Sequence, residues 1–188
     1  NKPLELINNK EMILHVYEAA KKSNTGEVYV ATPDQKIIDL VKKFGGNAVA
    51  TSSNHQTGTD RIFEVFKNEL NNEPSIIINL QGDMPNIDPQ AIQDLVSYME
   101  EDKCDIGTLA GAFSSKSEIK DENNVKVAVK KKLTMNNFGE ATDFFRTTLK
   151  NYENFYHHIG IYAFTNKALV RYVGLKRSKL EIERKLEQ

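Results

Sequence analysis

The stretch SIIINL at residues 75–80 is apolar on both faces of a strand, because three isoleucines follow one another without alternation. Continuous apolar runs of this length are typical of strands in the middle of a parallel sheet, where helices cover both faces. The same order, a short apolar run followed by an amphipathic stretch, repeats between residues 27 and 113. We therefore predict an α/β fold with a mostly parallel central sheet and helices on both faces.

Outward from this strand, the period of the hydrophobic pattern separates helices from strands. Amphipathic spacing predicts helices at residues 12–23, 35–44, 59–70, 89–101, 167–173 and 178–188. Apolar and β-branched runs predict strands at residues 27–32, 47–51, 75–80, 106–113, 125–129 and 156–164. The regular alternation stops near residue 120, and residues 130–139 form a polar excursion. We expect one α/β domain over residues 1–188, with a smaller subregion at about residues 120–165.

The composition limits the kinds of partner that the chain can bind. Twenty-five Lys and Arg residues oppose 26 Asp and Glu residues, which gives a formal net charge of −1. This balance argues against a large basic surface for nucleic acid or for an anionic membrane. No apolar run approaches the roughly 18 residues that a membrane helix needs. The single cysteine, Cys104, excludes an internal disulfide, and we expect a reduced cytoplasmic protein.

The motif QGDMP at residues 81–85 follows the central strand directly. In open α/β sheets, ligands bind beyond the carboxyl ends of the strands, so Asp83 would project into a crevice. Gly82 would allow a ligand or the backbone to come close. A carboxylate in that place can hold Mg²⁺ together with phosphate oxygens. An ordinary strand-to-helix turn with an Asx-type hydrogen bond explains the same residues equally well.

The motif HQTGTDR at residues 55–61 also lies between a predicted strand and a predicted helix. It is dense in hydrogen-bonding groups that could bind a base, a ribose or a phosphate. The alternative is an N-capping loop in which Thr57 or Thr59 caps the following helix. Under that alternative His55 is a structural histidine and Arg61 forms a surface ion pair.

The motif YHHIGIY at residues 156–162 is the third candidate for a binding surface. Strand alternation would point His158, Gly160 and Tyr162 to one side, where they could bind a polyhydroxylated ligand. Adjacent histidines on a strand face apart, and the chain has only four histidines and one cysteine, so a zinc site is not indicated. The sequence has no nucleophile elbow, which argues against a Ser-His-Asp hydrolase.

Together these motifs resemble those of the 3-deoxy-manno-octulosonate (Kdo) cytidylyltransferases. The tandem HQ-[ST]-GT-[DE]-R and QGD-x-P elements are the specific part, and the match covers nearly the whole chain. The segments that agree in order and spacing are KPL (2–4), AT (31–32), HQTGTDR (55–61), QGD (81–83), VKV (125–127), FR (145–146), HIGIY (158–162) and LEQ (186–188).

The resemblance implies a cofactor, substrates and a role for each matching residue. It implies Mg²⁺ as the cofactor, CTP and Kdo or a related sugar acid as substrates, and a homodimer formed by the segment after about residue 120. Asp83 would ligate the metal, and Lys2 would bind the phosphates. The residues implied in reading cytidine are Gln81, Thr59 and Arg61. The residues implied in holding the sugar acid are Arg146, His158, Tyr162, Glu187 and Gln188.

The sequence departs from the family pattern in four places. Pro33 stands where the family usually has aspartate, and Met84 stands where QGD is usually followed by glutamate. The family's opening arginine-rich phosphate loop and its late V-D-T-x-x-D-L segment have no counterpart in residues 1–188. We therefore expect the chain to correspond to the family domain without those two segments.

The reaction that the resemblance implies is attack of the anomeric hydroxyl of Kdo on the α-phosphorus of CTP, with pyrophosphate leaving. Such catalysis depends on positioning and on neutralising phosphate charge rather than on a covalent intermediate. A nearby alternative is a nucleotidyltransferase for 8-amino-Kdo, sialic acid or a neutral sugar phosphate. An alternative of another class is a non-catalytic nucleotide-binding module.

Overall fold

A computed structural model describes residues 2–71, 73–102, 104–134, 137–147, 152–184 and 186. The chain divides into two compact units. Unit 1 consists of Asn1–Gly107 and Ile161–Gly174, and unit 2 consists of Thr108–Gly160 and Leu175–Gln188. Among the described residues, no helix is both long enough and apolar enough to cross a bilayer.

The elements follow one another in mixed order. A short 3₁₀ helix at Lys2–Leu4 precedes the strands and helices. The helices are α1 (Met12–Lys22), α2 (Gln35–Lys43), α3 (Gly58–Asn68), α4 (Pro89–Asp102), α5 (Lys116–Lys120), α6 (Asn166–Val173) and α7 (Lys179–Arg184). The strands are β1 (Leu6–Ile7), β2 (Lys10–Glu11), β3 (Tyr29–Thr32), β4 (Asn47–Ala50), β5 (Ile76–Asn79), β6 (Ile106–Gly111), β7 (Lys126–Val129), β8 (Ala141–Phe145) and β9 (Phe155–Thr165).

Local chemistry fixes where the helices of unit 1 begin and end. The Asp34 carboxylate accepts a hydrogen bond from Lys36 N at 2.8 Å and so caps α2. Asp88 does the same for Gln90 N at 2.9 Å, at the start of α4. Gly45 follows α2 with a φ of +82°, a left-handed conformation that favours glycine. These residues stop and start the helices where the sequence pattern predicts.

Unit 1 contains a parallel strand pair and, besides the short antiparallel pair of β1 and β2, an antiparallel pair that involves β5. β3 and β4 are parallel, with Tyr29 opposite Asn47, and α2 is the connection between them. β5 pairs antiparallel with the end of β9, with Asn79 opposite Tyr162. Two apolar clusters hold the helices in this unit. One consists of Ile13, Leu14, Tyr17, Ile37 and Val41, and the other of Phe66, Phe164 and Leu169.

The prediction of a mostly parallel central sheet is not confirmed. The main sheet has the strand order β5-β9-β7-β8, with β6 also paired to β9. The β5–β9, β7–β8 and β7–β9 pairs are antiparallel. An unbroken apolar run shows that a strand is covered on both faces, but it does not give the direction of the neighbouring strand. The α/β class is correct, whereas the strand direction is wrong for this sheet.

Unit 2 is built around β7, which lies between β8 and the first part of β9. All four residues of β7 are buried, including Lys126. β8 was not among the predicted strands, because it starts with the exposed residues Ala141 and Thr142 and carries Asp143 at its centre. It is paired with β7 through the register of Lys126 with Phe145.

Candidate functional site

The QGD turn leaves β5 and presents its carboxylate to solvent. The Asp83 side chain is 38% exposed, and its Oδ2 lies 2.7 Å from the ammonium of Lys2. Gln81 is exposed as well. A Cβ at Gly82 would lie 2.9 Å from Cδ1 of Ile13, so glycine lets this turn pack closely against α1. The predicted metal ligand and the predicted phosphate-binding lysine therefore lie side by side.

The HQTGTDR segment is an N-capping loop followed by the first turn of α3. Thr57 is the N-cap, and its hydroxyl oxygen accepts a hydrogen bond from Asp60 N at 3.1 Å. The same hydroxyl donates to Asp60 Oδ2 at 2.8 Å. The capping alternative is therefore confirmed, with Thr57 rather than Thr59 as the cap. Capping does not exclude a ligand site, because the loop still lies at the end of β4.

A glutamate that the sequence patterns did not single out ties this loop to α3. The Glu64 carboxylate accepts hydrogen bonds from the His55 ring and from Ser52 N, the latter at 3.1 Å. The bond from His55, and then the bond from Ser52, hold the pKa of Glu64 below its ordinary value. His55 thus has the structural role that the capping alternative assigned to it. The spacing of nine residues between His55 and Glu64 gives no local signal of this contact.

Arg61 and Thr59 both lie on α3, and both already have protein partners. Arg61 Nη1 donates to Thr51 Oγ1 at 2.6 Å and to the carbonyl of Ser52 at 2.9 Å. Thr59 is buried, and its hydroxyl accepts a hydrogen bond from Asn79 Nδ2 at 3.2 Å. Their predicted contacts with cytidine remain predictions. Thr59 in particular would have to act through Asn79, because its side chain is 2% exposed.

A cavity of about 1040 Å³ lies within unit 1 and joins the two strand-end motifs. Arg61 lines it from one motif, and Gln81 and Gly82 line it from the other. Much of the remaining wall is apolar and comes from β3, β5 and the helices beside them, including Val30, Ile77 and Phe66. Arg61 and Gln81 are polar residues of this wall that could bind a nucleotide.

In unit 2, the third motif places a histidine in the interior. His158 is buried, and its Nε2 lies 2.9 Å from the hydroxyl of Thr108. Burial, and then the neighbouring His157, lower the pKa of His158 from 6.5 to about 4. The ring of Phe144 packs edge-on against it at 5.1 Å. A neutral imidazole at this position can exchange hydrogen bonds with hydroxyl groups, but it does not offer a positive charge to an acid.

Arg146 follows the last residue of β8. It is half-buried, and its Nη1 donates to the carbonyl of Glu122 at 3.0 Å. Tyr162 belongs to unit 1, where it is half-buried and packs against the cluster that contains Phe164. The predicted sugar ligands Glu187 and Gln188 lie outside the described residues. Arg146 and His158 are thus the predicted sugar ligands that unit 2 contains within its described part.

The described residues contain no group of three or more His, Cys, Asp or Glu side chains that could hold a metal ion. Asp83 is a single exposed carboxylate at a strand end, and it has one lysine partner. This donor set fits Mg²⁺ of the kind that is bound by one or two carboxylates and by substrate phosphates. It does not fit a metal held entirely by the protein.

Known proteins with similar sequences match this chain over its whole length. A family model described as Cytidylyltransferase matches residues 1–188. The 3-deoxy-manno-octulosonate cytidylyltransferase of Thermodesulfovibrio yellowstonii is 41% identical over 200 residues, which cover 100% of this chain and 78% of that protein. The 8-amino-3,8-dideoxy-manno-octulosonate cytidylyltransferase of Shewanella halifaxensis is 39% identical over 190 residues, which cover 100% of this chain and 77% of that protein.

A solved structure agrees with these relatives. CMP:2-keto-3-deoxy-manno-octonic acid synthetase, determined as a complex with CTP, superposes with a TM-score of 0.86 at 36% identity. The superposition covers 100% of this chain and 76% of that one. The similarity therefore extends through both units and through all three motifs.

Proposed function

This chain belongs to the cytidylyltransferase family, and we propose that it transfers CMP from CTP to Kdo, giving CMP-Kdo and pyrophosphate. The observation that carries this proposal is the 41% identity to a 3-deoxy-manno-octulosonate cytidylyltransferase along the entire chain. The similarity to a synthetase structure with bound CTP supports the same nucleotide. CMP-Kdo is the activated sugar used in lipopolysaccharide biosynthesis, which is the role we propose for the product.

The nucleotide site that we propose lies in unit 1, where Arg61 and Gln81 line its cavity. Gln81 supports this because it is exposed and its amide can both donate and accept hydrogen bonds, as a cytosine ring requires. Arg61 lines the same cavity and fixes residues 51 and 52, which precede the HQTGTDR loop. Thr59 supports Asn79 at the end of β5. Lys2 lies at the surface beside Asp83, which supports our proposal that it binds phosphate oxygens as a point charge.

We also propose that Asp83 holds Mg²⁺ together with the phosphates of CTP. The support is its exposure and its position directly after β5, where a bound triphosphate would be within reach. A divalent ion bound there supplies neutralisation of phosphate charge. The protein's own contribution is to hold the triphosphate with Lys2 and to exclude competing geometries of attack.

For the sugar acid we propose Arg146 as the residue that binds the carboxylate. A guanidinium is planar and can make two parallel hydrogen bonds to a carboxylate. The neutral His158 would bind hydroxyl groups instead, which agrees with its lowered pKa. Tyr162, Glu187 and Gln188 complete the proposed set.

The proposed assembly is a homodimer that works in the cytoplasm, where CTP is available. Exposed apolar side chains in unit 2 support an interface there, and they are Leu175, Leu180 and Ile182. Sedimentation of the protein at several concentrations tests this assembly, and a monomer at all concentrations would contradict it.

A substrate panel tests the function. CTP and UTP are each offered with Kdo, 8-amino-Kdo, sialic acid and a neutral sugar phosphate, and pyrophosphate release is followed with and without Mg²⁺. We expect release with CTP and Kdo in the presence of Mg²⁺. A clear preference for 8-amino-Kdo would instead favour the activity named for the relative from Shewanella halifaxensis, which is 39% identical. Nucleotide binding without pyrophosphate release from any pair would contradict the proposal and favour a non-catalytic module.

A further inference from the structure

Lys126 is a charged residue in the interior of unit 2 for which the proposed reaction has no role. It lies on β7, surrounded in sequence by Val125, Val127 and Ala128, and its side chain has no exposed surface. Burial lowers the pKa of its ammonium group. A buried ammonium destabilises a protein unless its N–H groups have partners, so its hydrogen bonds show what it is for.

The partners of this ammonium are two backbone carbonyls from different segments. Lys126 Nζ donates to the carbonyl of Asp121 at 2.6 Å and to the carbonyl of Arg146 at 2.8 Å. The first carbonyl belongs to the turn that follows α5, and the second belongs to the residue that follows β8. A single side chain therefore joins the turn at residues 121–124 to the backbone of Arg146.

The Arg146 side chain is held by the same turn. Its Nη1 donates to the carbonyl of Glu122, the residue next to Asp121. The turn is itself ordered by Asn123 N and Asn124 N, which donate to the Asp121 side chain and carbonyl. Lys126 thus fixes the backbone of Arg146 and the turn that binds its guanidinium.

The sheet register puts Lys126 between the residues that precede the two proposed sugar ligands of unit 2. Lys126 is opposite Phe145 on β8 and opposite His157 on β9. Arg146 is the residue that follows the end of β8, and His158 is the next residue on β9. His158 N donates to the carbonyl of Val125. A methionine would fill the volume of Lys126 without a charge, so packing alone does not require a lysine at this position.

We propose that Lys126 is a positioning residue that holds Arg146 in the geometry needed to bind the carboxylate of the sugar acid. This inference rests on the proposed function, which assigns the sugar carboxylate to Arg146. Lys126 does not touch the substrate. It acts only through the backbone carbonyls of Arg146 and Asp121.

The test compares Lys126→Met with the matched control Lys130→Met, which removes an exposed lysine paired with Glu140. For Lys126→Met we expect the KM for the sugar acid to rise about tenfold, since two hydrogen bonds that fix Arg146 are lost. The KM for CTP should stay within about twofold, because the carbonyl partners of Lys126 belong to the sugar side of the reaction. Lys130→Met should behave as the wild type in both. An equal rise of both KM values in Lys126→Met would overturn the proposal, because general loosening of the fold would explain it.

A double-mutant cycle with Arg146→Ala separates this inference from the proposed function. If Lys126 acts through Arg146, the double variant should have the same KM for the sugar acid as Arg146→Ala alone. Effects that multiply independently would overturn the positioning role while leaving Arg146 as the sugar ligand. An Arg146→Ala variant with an unchanged KM for the sugar acid would overturn both assignments.

A second variant keeps the test decisive if Lys126→Met does not fold, as judged by circular dichroism. Lys126→Gln keeps N–H donors without a buried charge, but its amide ends one bond short of the position of Nζ, so the hydrogen bonds to the two carbonyls are weakened. The same selective rise in the KM for the sugar acid is expected. An unchanged KM for the sugar acid in the folded Lys126→Gln variant would overturn the proposal.

Discussion

At the scale of single residues, Asp83 shows that the proposed reaction needs few charged groups from the protein. It is one exposed carboxylate that is paired with Lys2, and among the described residues it belongs to no group of three or more His, Cys, Asp or Glu side chains that could hold a metal. Most of the charge that must be balanced belongs to the triphosphate, so the protein supplies position and a small number of charges.

Asp83→Asn should lower kcat at least about 100-fold, which corresponds to roughly 2.7 kcal/mol of activation free energy. The amide keeps the size of the side chain but loses the charge that a divalent ion requires. Stability should hardly change, because exposed ion pairs such as that with Lys2 contribute little. The measurement is the rate of pyrophosphate release at saturating CTP and sugar acid. Asp105→Asn, at an exposed aspartate of unit 1, is the control, and near-normal turnover in Asp83→Asn would refute the metal assignment.

His158 makes the stability of the protein depend on pH. Its pKa is about 4 when folded and 6.5 when exposed, so between these values the unfolded chain binds a proton that the folded chain does not. Protonation of His158 therefore does not reduce the free energy of unfolding above pH 6.5. As the pH falls from 6.5 toward 4, it lowers that free energy by up to roughly 3 kcal/mol.

His158→Gln should flatten this dependence, since glutamine can still hydrogen-bond to Thr108 but does not titrate. The measurement is the free energy of unfolding in urea at pH 7.5 and at pH 4.5 for both proteins. His15→Gln is the control, because His15 is bonded to the carbonyl of Ile7 in unit 1. An unchanged pH dependence in His158→Gln would mean that another group causes the acid sensitivity.

At the scale of elements, the start of α3 serves both the fold and the proposed nucleotide site. Thr57 caps the helix, and Glu64 from the helix holds Ser52 and His55 in the preceding loop. The first turn of α3 also carries Arg61 to the cavity. A change in the cap should therefore affect stability and CTP binding together.

Thr57→Ala should destabilise the protein by about 1 kcal/mol and weaken CTP binding, because Asp60 N loses its partner. Thr57→Ser keeps the hydroxyl and should remain within a few tenths of a kcal/mol of the wild type. The urea midpoint at constant m-value measures the first effect, and calorimetric titration with CTP measures the second. Equal losses in the Ser and Ala variants would contradict the capping account.

The elements that the sequence predicts well are those whose pattern is local. α1, α2, α3 and α4 begin and end within a few residues of the predicted limits, because their apolar stripes are local in sequence and the capping residues of α2, α3 and α4 lie just before those helices. β8 was missed because its burial comes from pairing with β7 rather than from its own composition. The mostly parallel sheet was not confirmed for a similar reason, since β9, the antiparallel partner of β5, is distant in the chain.

The same distinction explains which parts of the site the sequence predicts: contiguous motifs are predicted, whereas contacts between separate segments are not. QGD and HQTGTDR are contiguous motifs, and the structure brings both to one cavity in unit 1. Glu64 and Lys126 were not predicted, because each is defined by partners that are remote in sequence. The sequence does contain one indication of Lys126, because it is a single charged residue within the apolar run VKVAV. A buried charge needs hydrogen-bond partners, so packing alone does not explain a lysine in such a run.

At the scale of the whole molecule, the residues proposed to bind the two substrates lie largely in different units. Unit 1 carries the strand-end loops proposed for CTP, and unit 2 carries Arg146 and His158. The chain matches relatives and a CTP-bound synthetase structure over all of its residues. The comparison therefore includes both the unit proposed to bind CTP and the unit that carries the proposed sugar ligands Arg146 and His158. The central claim is therefore that CMP passes from CTP to Kdo.

Isotopic labelling of CTP tests that claim most directly. The protein is incubated with Kdo, Mg²⁺ and CTP labelled either at the α-phosphorus or at the γ-phosphorus, and the products are separated. Transfer of CMP predicts that the α label enters the sugar nucleotide and that the γ label leaves in pyrophosphate. Appearance of the γ label on the sugar, or of the α label only in unreacted CTP, would contradict the account.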